Sequence, residues 1–293
     1  MSGPPVPYLA VFRVSMKAPT SPLLVIEDSD FLVTFESGPV EFAVAVPIVS
    51  QKPPGAAMRI GLRQVQFPED CYLVVKSSII PPNPRAFANL TSLRTAELAS
   101  VIDLRFPRLL SQRLFEGATS DPSNMMLLPE DPMTLTAQPI RNPADVVDAI
   151  QRDFVIVDAL GDPSRQRLRL ASRWYQQGLE ARSRIDKFLA WWITLEVFPG
   201  EGDTDVVGKV TDLLSSILTN MGSSVIKDRT GIGRIAGLRA DIVHQGMAFV
   251  PESREEEFDR RLKNLNAIVR TCLRVLGELP IDGELESLMS EGA

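Results

Sequence analysis

The spacing of apolar residues changes character once along the chain. Over residues 8–77 they come in short runs broken by turn residues, which is the signature of β-strands. Runs at 8–14, 23–26, 31–35, 40–46, 58–67 and 71–75 predict about six strands. Between them stand Asp28-Ser29, Ser37-Gly38-Pro39, Lys52-Pro53-Pro54-Gly55 and Pro68-Glu69-Asp70, all rich in turn formers. Within 40–46 the larger residues alternate with small or charged ones, so one face can pack while the other carries little bulk. The expectation is a small antiparallel sheet.

Prolines then change the picture. Ile80-Pro81-Pro82-Asn83-Pro84 lacks the N–H groups a strand needs, and the pattern over 94–116 reads as helical with an interruption at Pro107. Asp121-Pro122 and the prolines of 129–132 and 139–143 mark a connector, followed by a short helix at 144–153.

Beyond this point the period is 3.6. Leu168, Ala171, Trp174, Tyr175 and Leu179 form one stripe; Ile185, Phe188, Leu189, Trp192, Ile193 and Leu195 form the next, stopped by Pro199-Gly200. A further stretch runs from Val206 to Met221, with Asp203 and Thr204 as candidate caps and Gly222 as its end. The last long helix opens with Ser253 and Glu256 in capping-box spacing and buries Phe258, Leu262, Leu265, Ile268, Val269, Cys272, Leu273 and Leu276. The predicted fold class is therefore α+β in two domains. A small antiparallel β domain (1–90) leads through a helical, proline-punctuated connector (91–160) to an all-α bundle (161–293).

Composition narrows the functions open to this chain. With 293 residues there is room for two cores. A formal charge of -6 excludes a domain that coats nucleic acid by bulk electrostatics, so any RNA contact must be local. Cys71 and Cys272 are remote in sequence and neither belongs to a CxxC pair, which fits a reducing cytoplasm. No run reaches the roughly 18 apolar residues of a membrane span, and no charged leader precedes an apolar run. The expectation is a cytoplasmic protein with no membrane partner.

His244 is the sole histidine, which excludes histidine-cluster metal sites and any catalysis needing two histidines from one chain. No His, Cys or carboxylate group has metal-ligand spacing, so neither metal nor other cofactor is expected. Five residues before His244 stands Arg239, in Arg239-Ala240-Asp241-Ile242-Val243-His244. An imidazole titrating near about pH 6.5 can take the proton of a ribose 2′-hydroxyl or protonate a leaving 5′-oxygen, and a guanidinium can stabilise charge on the phosphate.

The surroundings of that pair carry a family resemblance. The segment 168–175, Leu-Arg-Leu-Ala-Ser-Arg-Trp-Tyr, and the segment 186–196, Asp-Lys-Phe-Leu-Ala-Trp-Trp-Ile-Thr-Leu-Glu, look like the opening helices of Apea-like HEPN domains. Gly237-Leu238-Arg239 to His244 resembles that family's Arg-x4-His motif, and the match in order and interval covers about 165–277. The resemblance implies a HEPN-like helical bundle and a metal-independent endoribonuclease, of toxin or defence type, with Arg239 and His244 as its catalytic pair. Many family members carry a polar residue where this chain has Ala240.

Around the motif, Glu196 and Asp241 are candidate supporting carboxylates. Lys227, Arg229 and Arg234 lie just upstream and are candidates for holding RNA phosphate, as is the face shared by Arg165, Arg169 and Arg173. Of Trp174, Trp191 and Trp192, two fall on the apolar stripes and belong to the core. One histidine per chain cannot supply both an acid and a base, so a homodimer is expected. Arg239 and His244 also lie roughly 140° apart on an ideal helix. They can share a site only if Gly237 bends a first turn containing Arg239, or if both point into a dimer groove. The alternative function is a non-catalytic HEPN scaffold that dimerises and binds a protein or nucleotide. In either case the N-terminal domain is a candidate for meeting a regulatory protein partner.

Overall fold

The computed structural model describes residues 8–16, 18–27, 31–48, 59–68, 70–77, 84–118, 126–127, 142–199, 205–218, 221–246, 250 and 252–291. The chain is α+β, with an antiparallel sheet region followed by a helical region, and it divides into two compact units, Met1–Phe154 and Val155–Ala293. The turn residues Asp28-Ser29 and Lys52 to Gly55, and most of the proline-rich connector, lie outside the described residues.

The first unit is built on a six-stranded antiparallel sheet. Strands β1 (Tyr8–Val14), β2 (Leu23–Glu27), β3 (Phe31–Ser37), β6 (Cys71–Ser77), β7 (Leu110–Gly117) and β8 (Met126–Leu127) are ordered β2-β3-β6-β1-β7-β8. Strands β4 (Val40–Ile48) and β5 (Arg59–Phe67) pair separately, from Val40 opposite Phe67 to Ile48 opposite Arg59. All six predicted strands are present within two residues of their expected ends.

The continuous apolar runs of β1 and β6 have a plain cause: these central strands are buried on both faces. On one face Leu9, Val11, Tyr72 and Val74 meet Val40, Val44 and Phe67 of the β4–β5 pair, with Phe42 against Phe115 at 4.8 Å between ring centroids. On the other, α1 (Pro84–Arg105) brings Thr95 and Leu98 against Val33 and Val75. The Tyr8 hydroxyl, buried there, donates to Glu116 Oε1 at 2.8 Å and lies 3.0 Å from Thr95 Oγ1. Its burial pushes the phenol well above its ordinary pKa.

The helical reading of 94–116 holds only to Arg105. A turn follows, with Arg108 at φ 63° and its N–H bonded to Asp103 Oδ1, and from Leu110 the chain is a strand paired with β1. Leu110 and Leu114 sit at helical spacing, so pattern alone could not separate the two readings; pairing with a buried central strand decides the matter.

The second unit contains α3 (Asp162–Glu180), α4 (Arg184–Glu196), α5 (Val206–Ile217), α6 (Ser223–Thr230), α7 (Ile232–Gln245), α8 (Glu255–Leu276) and α9 (Glu284–Glu291), entered through α2 (Pro143–Asp158). Helix α8 is its axis, packing against α3, α4, α5, α7 and α9. Its buried face includes Phe258, Leu265, Ile268, Val269, Cys272 and Leu273, as periodicity predicted, whereas Leu262 and Leu276 are only half-buried. The capping box does not form. A 3₁₀ turn at Glu252–Arg254 precedes the helix and puts Arg254, without a side-chain cap, at its start. Helix α5 is capped by Asp205, which accepts from the Gly208 N–H at 2.8 Å, while Asp203 and Thr204 lie outside the described residues.

Two arginines of α8 are buried, and each is paired, as a charge removed from water must be. Arg270 donates to the Tyr175 hydroxyl at 3.1 Å and to Glu284 at 2.9 Å; Arg274 donates to Asp282 at 2.6 Å. The pairs clip the segment entering α9 onto the bundle.

A close contact joins α3 to α4. A Cβ built on Gly178 would fall 2.4 Å from both Cδ1 and Nε1 of Trp191, so the indole occupies space that any side chain there would need. The same indole N–H donates to the Tyr175 carbonyl at 3.3 Å, and its ring stacks on Tyr175. In an open helix Gly→Ala stabilises by about 1 kcal/mol. Here Gly178→Ala should instead destabilise by about 1–3 kcal/mol through overpacking, measured as a lower urea midpoint. Adding Trp191→Phe should recover part of the loss, and an unchanged midpoint in the single variant would refute the contact.

Candidate functional site

Helix α7 carries the Arg239–His244 pair. Gly231, at φ 66°, closes α6 and opens α7, and Gly246, at φ 65°, ends it with its N–H on the Ile242 carbonyl; both are left-handed positions that favour glycine. Ile232, Ile235, Leu238 and Ile242 are buried and fix which face meets the bundle.

Arg239 is half-buried in the middle of α7. Its Nη2 donates to Glu196 Oε1 at 3.2 Å, and that same oxygen accepts the Trp192 indole N–H at 2.6 Å. The fixed Trp192 therefore holds the carboxylate, and the carboxylate holds the guanidinium. Of the two supporting carboxylates named from sequence, Glu196 thus reaches the motif. Trp192 was legible only as a core residue, since nothing in its spacing announces a hydrogen bond to a neighbour four residues on.

His244 is exposed in the last turn of α7 and makes no hydrogen bond or ion pair among the described residues. Helix α7 is continuous through Gly237, so Arg239 does not sit in a bent first turn. The two side chains leave the helix about 140° apart and about 7.5 Å along its axis. One copy of α7 does not bring them together.

The remaining candidates separate. Asp241 faces α8, in a cleft with Leu238, Phe258 and Arg261, and is not a partner of Arg239. Arg229 donates to the Met289 carbonyl at 3.4 Å and so helps hold α9. Lys227 and Arg234 are exposed, and the Arg234 carbonyl accepts from Arg261 at 3.5 Å. In the other basic group Arg165 is paired with Asp158. Trp191 and Trp192 are buried, whereas Trp174 is half-exposed. Both cysteines are buried free thiols; burial, with Asp70 alongside, pushes Cys71 up to about 12, so it is no nucleophile at neutral pH. No group of three His, Cys, Asp or Glu residues able to hold a metal occurs among the described residues, and no helix among them is long and apolar enough to cross a membrane.

Arg239 and Glu196 are each about one-third exposed, so water screens their pairing, and such pairs contribute less than about 1 kcal/mol. Arg239→Ala should leave the thermal midpoint within a few degrees of wild type by calorimetry, because Trp192 still satisfies Glu196. Glu196→Ala should cost more, about 1–3 kcal/mol, since it strands a buried indole N–H. Equal losses in the two variants would contradict this hierarchy.

No protein-family model, curated protein or solved structure matches the chain.

Proposed function

We propose that the chain is a metal-independent endoribonuclease of HEPN type, of the toxin or defence kind, that works as a homodimer. The observation that carries this reading is the anchored Arg239: a guanidinium oriented through Glu196 and Trp192, on the helix that presents an exposed His244. Orientation of that kind is what a group meant to meet a phosphate needs.

The surface of α7 supports the dimer. Gly233, Gly237, Ala240 and His244 recur at i, i+4, i+7 and i+11, so they share one stripe, and nothing lies within 4 Å of a Cβ added at Gly237. Val243 beside it is 49% exposed. A second α7 approaching across a two-fold axis would meet open space at Gly237 and the Lys227 side chain beside Gly233. It would bring the second imidazole that acid and base roles demand.

The scaffold reading has its own support. Ala240 replaces a polar residue that many HEPN proteins carry, and Glu196 neutralises Arg239 in the single chain. The two readings differ in turnover.

Purified protein incubated with mixed RNA in EDTA should cut it, leaving a 2′,3′-cyclic phosphate and a 5′-hydroxyl, because the substrate's own 2′-oxygen is the nucleophile. DNA should survive. His244→Ala should lower the rate by about 10² to 10⁴. Arg239→Ala should be comparably damaging and Arg239→Lys only partly active, since a point charge does not reproduce the planar fork. Light scattering should give a dimer at micromolar concentration. Cleavage retained in both alanine variants would place the activity elsewhere and leave the scaffold reading, whereas a monomer that cuts at full rate would refute the need for a dimer.

A further inference from the structure

The outer face of α3 combines free positive charge with exposed apolar surface. Taking Arg167 as zero on an ideal helix, Trp174 lies about 20° from it, Leu170 about 60°, Gln177 about 80°, Gln166 about 100° and Arg173 about 120°, all to the same side. Leu170 is 43% exposed, Trp174 is half-exposed, and the other four are exposed. Arg167, Arg173 and Trp174 make no hydrogen bond or ion pair among the described residues, whereas Arg165 of the same helix is paired with Asp158. The carboxylates of α3, Asp162 and Glu180, stand at its two ends. The face is therefore locally positive on a chain whose formal charge is -6.

Charge and shape narrow what can cover it. A second copy joined about a two-fold axis would set its own arginines against these two, and an apolar partner would strand two guanidinium groups out of water. A small anion would leave the indole and Leu170 in contact with water. A nucleic-acid duplex offers phosphates but keeps its bases stacked on one another. A single strand offers both phosphates for the planar guanidinium forks and, between them, a base whose flat side can lie on the indole. Arg167 and Arg173 stand about 9 Å apart along the helix axis, with Leu170 midway and Trp174 next to the second arginine.

We propose that this face of α3 holds single-stranded RNA, with Trp174 as a base-stacking platform and Arg167 and Arg173 on the phosphates. The inference deepens the ribonuclease reading and rests on it for the choice of RNA. It makes the substrate a single strand, gripped by a helix other than the one that carries Arg239 and His244.

Fluorescence titration of the full chain with a 12-mer of 2′-O-methyluridine, which has no free 2′-hydroxyl and so cannot be cut, tests this without turnover. The strand should saturate the protein, and its duplex with a complementary strand should bind at least about tenfold more weakly. Trp174→Ala should weaken binding about five- to a hundredfold, the loss of one stacked base, while Trp174→Phe should stay within about fivefold of wild type. Because Trp191 and Trp192 are buried, quenching of tryptophan emission on binding should vanish in Trp174→Phe. Replacing Arg167 and Arg173 together by Gln should lower the slope of log affinity against log salt by about 1.4, the contribution of two phosphate contacts to a single strand. No saturation, equal affinity for strand and duplex, or unchanged binding in both the Trp174→Ala and the double Gln variants would overturn the proposal. So would displacement of the strand by polyglutamate at equal concentration, which would make the face a dock for an acidic protein segment. The parent reading fails separately. Binding as stated by a chain that never cuts RNA with free 2′-hydroxyls keeps the face and removes the nuclease, whereas RNA cleavage by a chain whose strand binding ignores Trp174→Ala keeps the nuclease and removes the face.

Discussion

The arrangement of the helical unit depends on the absence of a side chain at Gly178. Because that position is bare, the Trp191 indole can lie against the backbone of α3, where it also finds the Tyr175 carbonyl. This contact sets the separation and rotation of α3 and α4 together, and Tyr175 passes the constraint on to Arg270 of α8. Close approach of this kind is where aromatic packing contributes most, since a large apolar ring is buried and its polar edge stays bonded.

Trp192 follows directly in sequence and leaves α4 on a different side. Fixing Trp191 therefore fixes Trp192, and with it Glu196 and then Arg239. The candidate site is thus held by core packing through a short chain of hydrogen bonds. Adjacent tryptophans on one helix divide the labour: the first locks the helix pair, and the second orients the charged group. A guanidinium positioned this way loses less freedom on meeting a phosphate than one on a mobile stem would.

His244 stands outside that chain of constraint. It sits in an exposed last turn, at the end of a stripe of small residues, while Arg239 turns toward the bundle. Helix geometry alone makes the two diverge, which is why the proposed chemistry needs a second copy of α7 and why a single chain reads as incomplete.

Much of this was written in the order of residues. Period two against period 3.6 separated the sheet region from the helical region, because side-chain alternation is a local property of backbone geometry. It located β1 to β6 and most of the buried face of α8, but on α3 and α4 it placed Trp174 in the core and left out Trp191, the reverse of their burial. Arg239 and His244 stood out only as the sole histidine and an arginine five residues before it. Tertiary structure decided what spacing cannot carry. Leu110–Gly117 became a strand because β1 had an open edge to fill, although its leucines suit a helix. Ser253 lost its cap to a 3₁₀ turn. Glu196 became the partner of Arg239, and Asp241 did not, because the rotation of α7 against α4 and α8 is fixed by contacts among residues far apart in the chain. Sequence determines which residues can do chemistry; only packing decides which of them face one another.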